Sequence, residues 1–257
     1  MYWCQWIIVQ GNFPIGLFSQ LYKSKVVMMF LPNIPWKSLP NWLTGNRLRI
    51  IMVHSVSNNL ADPHAISPPV FLKHLRSLQL ANVISLGDGL KRLRSNQPLR
   101  NTIVITFDDA LLDFFTTALP MLKDFGYPST MFVPTGLVGQ TSKWDTYDKT
   151  KPLMTWKQME ECQRWKVSFG SHTVNHPRLV ECSNSELGLE LSASLKMLND
   201  RLDCVFSALA YPGGFHDQRI QKAAQNAGYT CAMIASSRWG NGPESDFYQL
   251  RRERFHP

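Results

Sequence analysis

Ile103-Val104-Ile105-Thr106-Phe107-Asp108-Asp109 is the stretch whose reading decides the fold. Its β-branched and aromatic half reads as a buried strand, and the acid pair sits where that strand ends, its side chains diverging to opposite sides. A second apolar run, Val167 to Gly170, leads about sixty residues later into His172-Thr173-Val174-Asn175-His176. In a parallel α/β fold the ends of strands gather at one face. That face is expected to collect two carboxylates and two imidazoles.

Outward from these runs the chain alternates strand and helix signals. Leu48 to Val53 is a strand candidate, and Ser67 with Pro68 marks a helix start whose inner face carries Phe71, Leu75 and Leu78. Val83 to Leu86 follows as a short strand and Asp88 to Leu93 as a helix. A helix near Asp113 to Phe125 is stopped by Gly126 and Pro128, before a strand at Ser129 to Val133. Thr155 with Gln158, and Ser183 with Glu186, have capping-box spacing. The helix from Ser183 carries a stripe of Leu187, Leu191, Leu195, Leu198 and Leu202, which is core. Phe206 to Tyr211, a helix from His216 to Asn226, and Tyr229 to Ala235 complete a βαβαβα series. Such an order favours an α/β fold with a parallel barrel or sheet.

One carboxylate with two imidazoles is an ordinary first shell for zinc, with iron, cobalt or nickel as alternatives, and three protein ligands leave a position for water. His172 and His176 are four apart, which on a helical turn puts both rings on one face. Adjacent ionised carboxylates repel, and a dication relieves this for Asp109 while Asp108 is left to work as a base. The constellation points to metal-assisted hydrolysis. A non-haem iron oxygenase also uses two His and one carboxylate, but usually places the carboxylate close after the first His, whereas Asp109 precedes both.

Composition limits the remaining classes. A chain of 257 residues, 44% hydrophobic, can bury one large core. Its formal net charge of +8 is scattered, with no basic stripe interleaved with aromatics, so no nucleic-acid partner is expected. An anionic glycan, a lipid-linked phosphate or an acidic membrane surface fits that charge better. The odd, dispersed Cys4, Cys162, Cys182, Cys204 and Cys231 argue against a disulfide framework and favour the cytoplasm. Residues 1–46 read as an N-terminal extension. Met1 to Tyr22 lacks charge but is interrupted by Gln, Asn, Gly and Pro, poor for a spanning helix, and no signal peptide is expected because Lys23 and Lys25 follow the apolar stretch. Its aromatics, among them Trp3, Trp6 and Phe13, suit packing on the barrel or a peripheral membrane contact. Oligomeric state is not readable.

Thr106 to Ala110 resembles the Thr-Phe-Asp-Asp-Gly motif, and His172 to His176 the His-Ser/Thr-x-x-His motif, of the polysaccharide deacetylases of carbohydrate esterase family four. Ile51-Met52-Val53-His54 is similar to that family's opening strand, and Ala210-Tyr211-Pro212-Gly213-Gly214 to the third motif of its Tyr-Pro-x-Gly branch. The resemblance covers about residues 47 to 255. It implies a catalytic domain over residues 47–257 with a distorted (β/α) barrel of about seven parallel strands, acting on an N-acetylated glycan or sugar intermediate. It implies one divalent metal, zinc first, on Asp109, His172 and His176, with Asp108 as base and the Gly213 N–H as oxyanion donor. Tyr211, Pro212 and Trp144 are expected to bind substrate, Trp144 from the irregular stretch Gly139 to Tyr147.

The chain departs from the family at two places. Leu250-Arg251-Arg252 lacks the His of a late Leu-x-His motif, so His54, with His256 behind it, is expected to donate the proton instead. The third-motif Arg that orients the base is replaced by Ala210. Trp239-Gly240-Asn241 and Arg252 stand where family elements lie near the site. These departures leave a second reading, a catalytically impaired glycan-binding relative.

Overall fold

Long connections between strands favour parallel pairing, because each crossover has room for a helix. The computed structural model describes residues 45–59, 61–204, 206–235 and 240–255. Among these, β1 (Leu48–Val53), β2 (Ser55–Val56), β3 (Ala65–Ile66), β4 (Asn82–Val83), β5 (Thr102–Phe107), β6 (Ser129–Val133), β7 (Val167–Ser171), β8 (Ala208–Ala210), β9 (Cys231–Ala235) and β10 (Leu250–Arg254) follow one another along the chain. The helices between them are α1 (Pro68–Ser77), α2 (Leu86–Arg94), α3 (Leu119–Phe125), α4 (Trp156–Gln163), α5 (Asn184–Arg201) and α6 (Gln218–Ala227). Residues 1–44, and with them nearly all of the expected extension, lie outside the described residues.

β1 pairs with β5 along its whole length, from Leu48 opposite Thr102 to Val53 opposite Phe107, and with β10 on its other edge. The order β1-β10-β9-β8-β7-β6-β5 therefore closes into the expected barrel of seven parallel strands. β4 pairs only with the start of β5, and β2 pairs with β3 in a separate ribbon.

Alternation along the strands sorts the core. Ile50, Val104, Phe132, Ala208, Ala210, Met233 and Leu250, from six of the barrel strands, form one buried cluster with Leu86, Leu90 and Leu93 of α2. Ile51, Ile103, Ile105 and Phe107 instead pack with Phe71 and Leu75 of α1 and Leu119 and Leu122 of α3. The α5 stripe buries Leu187, Leu191, Leu198 and Leu202, with Leu195 partly buried. Both capping boxes form, at Thr155 with Gln158 and at Ser183 with Glu186. Ser67 occupies the N-cap position of α1, but its side chain makes no cap hydrogen bond.

Three expectations need correction. The helix from Asp113 begins as a π-turn over Phe114–Ala118 before α3. The strand from Phe206 shortens to Ala208–Ala210. The segment from His172 to His176 is a loop, not a helical turn, and bends through positive φ at Thr173 and His176 (68° and 59°). The strand β10 has no counterpart in the expected series, because Leu250-Arg251-Arg252-Glu253-Arg254 is too charged to read as a barrel strand. No helix of the described residues is long and apolar enough to cross a membrane, and the four described cysteines are free of disulfides.

Candidate active site

His54, Asp108, Asp109 and His172 are delivered by the carboxyl ends of barrel strands, where parallel barrels place their sites. Asp108 follows β5 and meets Arg252 of β10 in a bidentate pair, Nη1 donating to Oδ1 at 2.6 Å and Nη2 to Oδ2 at 2.7 Å. Side-chain exposure is 1% for Arg252 and 3% for Asp108, so the pair is dry. Burial works to raise the Asp108 carboxyl, but the Arg252 charge and hydrogen bonds, with His172, prevail and hold it well below the usual carboxylate range. The guanidinium carbon of Arg252 lies 5.2 Å from the Phe132 ring centroid. That ring has room because Gly170 stands opposite Phe132 in register, where an added Cβ would come within 2.6 Å of it.

Asp109 turns the other way. It has φ of 74°, a left-handed conformation that costs a side-chain-bearing residue about 1 kcal/mol or more. The turn brings its Oδ1 to 3.5 Å from Nε2 of both His172 and His176. His172 is fixed through Nδ1, 2.7 Å from the Ala210 carbonyl oxygen at the end of β8, which leaves Nε2 facing Asp109. The His176 N–H donates to Thr173 Oγ1 at 3.1 Å, closing the loop that carries both rings. Burial, and then the Asp108 charge, push the Asp109 carboxyl up to about 8, while burial lowers both histidines.

These residues fit a metal ion. The Asp109 Oδ1 is buried without a hydrogen-bond partner, and the three ligand atoms lie within 4.8 Å of one another. The two Asp109-to-imidazole distances of 3.5 Å match the separation of ligand atoms around a tetrahedral ion with bonds of about 2.0–2.1 Å. The raised Asp109 carboxyl, kept protonated by its surroundings when no cation is near, is the electrostatic counterpart of that geometry.

The cleft over this cluster has a volume of about 200 Å³. His54, at the end of β1, enters it with Nε2 4.0 Å from Asp108 Oδ2, and burial holds its ring at about 3 despite the pull of Asp108. Gly213, at φ 62°, lines the cleft, and its N–H has no acceptor among the described residues. Tyr211 also lines it, yet the side chain is spent on structure: the ring stacks on His216 and the hydroxyl donates to the Tyr248 carbonyl at 3.1 Å. Pro212 is buried at the start of the turn Pro212–Gly214 and does not line the cleft. Trp144 reaches the site by stacking on His176, with centroids 4.6 Å apart. Its loop is pinned by Lys151, whose ammonium pairs with Asp145 and, at 2.8 Å, with Asp62 of the loop bearing His64.

The structure thus brings together Asp108, Asp109, His172, His176, His54, Gly213, Tyr211 and Trp144 as expected, leaves Pro212 aside, and His256 lies outside the described residues. Arg252 supplies the contact to Asp108 for which Ala210 leaves no side chain. One charge among four in Leu250–Arg254, it becomes readable only once β10 is known to lie beside β1. Lys151 and Tyr147, also in the cleft wall, carry no sequence signal of their own.

Comparison with known proteins agrees with this geometry. YxkH of Bacillus subtilis (strain 168), whose name places it among polysaccharide deacetylases, is 26% identical over 217 residues, 82% of this chain and 72% of that protein. The poly-beta-1,6-N-acetyl-D-glucosamine N-deacetylase of Staphylococcus epidermidis is 25% identical over 185 residues, 67% of this chain and 61% of that protein. Among solved structures, the Streptococcus pyogenes deacetylase PplD, in complex with acetate, superposes with a TM-score of 0.72 at 26% identity, covering 82% of this chain and 93% of that one. IcaB from Ammonifex degensii, at 19% identity and a TM-score of 0.73 over 83% of this chain and 94% of that one, shares the fold. The family model described as polysaccharide deacetylase matches residues 95–232, more than half of the 257, and the chain belongs to that family.

Proposed function

We propose that the protein is a metal-dependent hydrolase that removes N-acetyl groups from an acetylated sugar or polysaccharide and releases acetate. The observation that carries this is the meeting, in one cleft, of the buried Asp109–His172–His176 cluster with a second carboxylate held separately by Arg252. Zinc is the ion that the carboxylate and two imidazoles suit best. When bound, it supplies Lewis-acid polarisation of the acetamide carbonyl and makes water more acidic.

The chain's own groups account for the proton movements. Asp108 accepts the proton of the attacking water as the oxygen bonds to the carbonyl carbon, and Arg252 keeps that carboxylate ionised and aimed. The Gly213 N–H donates to the oxygen on which charge develops. The C–N bond then breaks, and the amine leaves with a proton delivered by His54. His54 is neutral until it takes over the proton that Asp108 drew from the water, its Nε2 lying 4.0 Å from Asp108 Oδ2, and burial that disfavours the charged ring then favours passing that proton on to the amine.

The non-catalytic alternative loses one of its two supports, since Arg252 stands in for the Arg absent at Ala210. Acetate release from N-acetylhexosamine oligomers, abolished by chelation and restored by zinc, is the expected result. No acetate from any acetylated glycan, with metal bound, would favour the binding protein instead. His54→Gln is expected to lower kcat by about 10²-fold or more while zinc content stays unchanged, and unaltered turnover would remove His54 from the proton path.

A further inference from the structure

The active cleft is joined to a second cavity, of about 230 Å³, and the two share the residues Met52, His54, His64 and Arg254. An engineered cavity of about 150 Å³ already accepts a benzene ring, so this one has room for a sugar ring.

Its electrostatics differ from those of the cleft. In the cleft two of the cations are answered, Arg252 by Asp108 and Lys151 by Asp62 and Asp145, while Arg254 belongs to both spaces. No Asp or Glu is among the described residues lining the second cavity, and Arg254, on its rim, has no ion-pair or hydrogen-bond partner among the described residues. The second polar side chain is equally unclaimed. Nδ1 of His64 is buried without a hydrogen-bond partner. The ring itself is held in place, edge-on to His54 at 5.1 Å, with its backbone N–H donating to Asp62 Oδ1 at 2.8 Å. Burial, and then the Arg254 charge, keep His64 below its ordinary pKa, and its free ring nitrogen lies in the same cavity as the Arg254 charge. An uncompensated guanidinium and an orphaned ring nitrogen on an acid-free cavity are complementary to an anion.

We propose that this second cavity is a subsite for a negatively charged substituent, a carboxylate or a phosphate, on the sugar adjoining the acetylated residue, with Arg254 and His64 as its donors. The proposal rests on the deacetylase reading for what occupies the cleft, and it makes Arg254 a specificity determinant.

The test compares three substrates with the full-length, zinc-loaded chain. One is a neutral N-acetylhexosamine oligomer, one alternates N-acetylhexosamine with a uronic acid, and one joins N-acetylhexosamine to its neighbour through a phosphodiester. One anionic substrate is expected to be favoured over the neutral one by about tenfold or more in kcat/KM, the scale of one charge-assisted contact. The preference should shrink as salt is raised. Which anion is favoured identifies the substituent. Arg254→Gln is expected to bring the anionic-to-neutral ratio of kcat/KM to about one, whatever it does to the neutral rate through His54, and Arg254→Lys to restore part of the ratio. No preference in the unaltered chain, or a preference that survives Arg254→Gln, would overturn the subsite. Calorimetric binding of the already deacetylated uronate oligomer separates the two ideas. Binding about tenfold weaker in Arg254→Gln upholds the subsite even if no glycan releases acetate, whereas acetate release without any Arg254 dependence upholds the hydrolase alone.

Discussion

Arg252→Met is expected to cost about 3–5 kcal/mol of folding stability, the scale on which a buried ion pair is felt when one partner is removed. The substitution keeps much of the side chain's length and apolar body, so the loss falls on Asp108, which stays buried with no counter-charge and beside a second carboxyl. Because the folded-state pKa of Asp108 lies below the value of about 3.9 for an unfolded aspartate, the pair's stabilisation is complete above that value. It is lost as the pH falls toward the depressed folded-state pKa. In the variant the carboxyl rises instead and takes up a proton, so the gap between the two proteins should be widest near neutral pH and narrow on acidification. Denaturant unfolding at several pH values reads this directly, and a gap independent of pH would place Arg252 outside the control of the base. Deacetylation should fall as well, with its acidic limb moved to higher pH, since the base must now lose a proton before it can accept one.

Asp108→Asn is expected to lower kcat by about 10²–10⁴-fold, the contribution of a positioned general base. The amide keeps the shape and one acceptor for Arg252 but cannot take a proton. Asp109, His172 and His176 are untouched, so zinc should still bind, and zinc content measured on the purified variant separates lost proton transfer from lost metal. The amide also leaves the guanidinium short of a counter-charge, so stability should drop too. Joining it to Arg252→Met is expected to cost less than the sum of the two single changes, since neither charge is then left alone. A strictly additive double variant would mean the two side chains do not act as a pair.

Much of the site is legible in the sequence because its ligands are announced by short motifs at the ends of apolar runs. Ile103 to Phe107 and Val167 to Gly170 are apolar enough to read as strands, and the polar residues directly after each run carry the chemistry. The barrel is legible for the same reason as far as β9. Arg252 is not, because every residue of β10 after Leu250 is charged, and its key residue is a charge buried by a partner 144 positions away. The loop at His172 passes for a helical turn because a spacing of four is shared by both, and only the positive φ of Thr173 and His176 separates them. Pro212 looks like a contact residue since it sits in a motif, yet its ring serves the backbone turn that presents Gly213.

β1 is the strand that seals the ring, wedged between β5, which ends at the base, and β10, which carries the guanidinium. Asp108 and Arg252 therefore reach across the seam, and His54 crowns the wedge itself. A chain in which the first strand has yet to dock lacks the bridge over the gap, and it lacks the imidazole that goes with it. Loop-closure entropy makes contacts so distant in sequence among the slowest to gather. Hydrolytic competence should consequently require that the first strand has docked between its two neighbours.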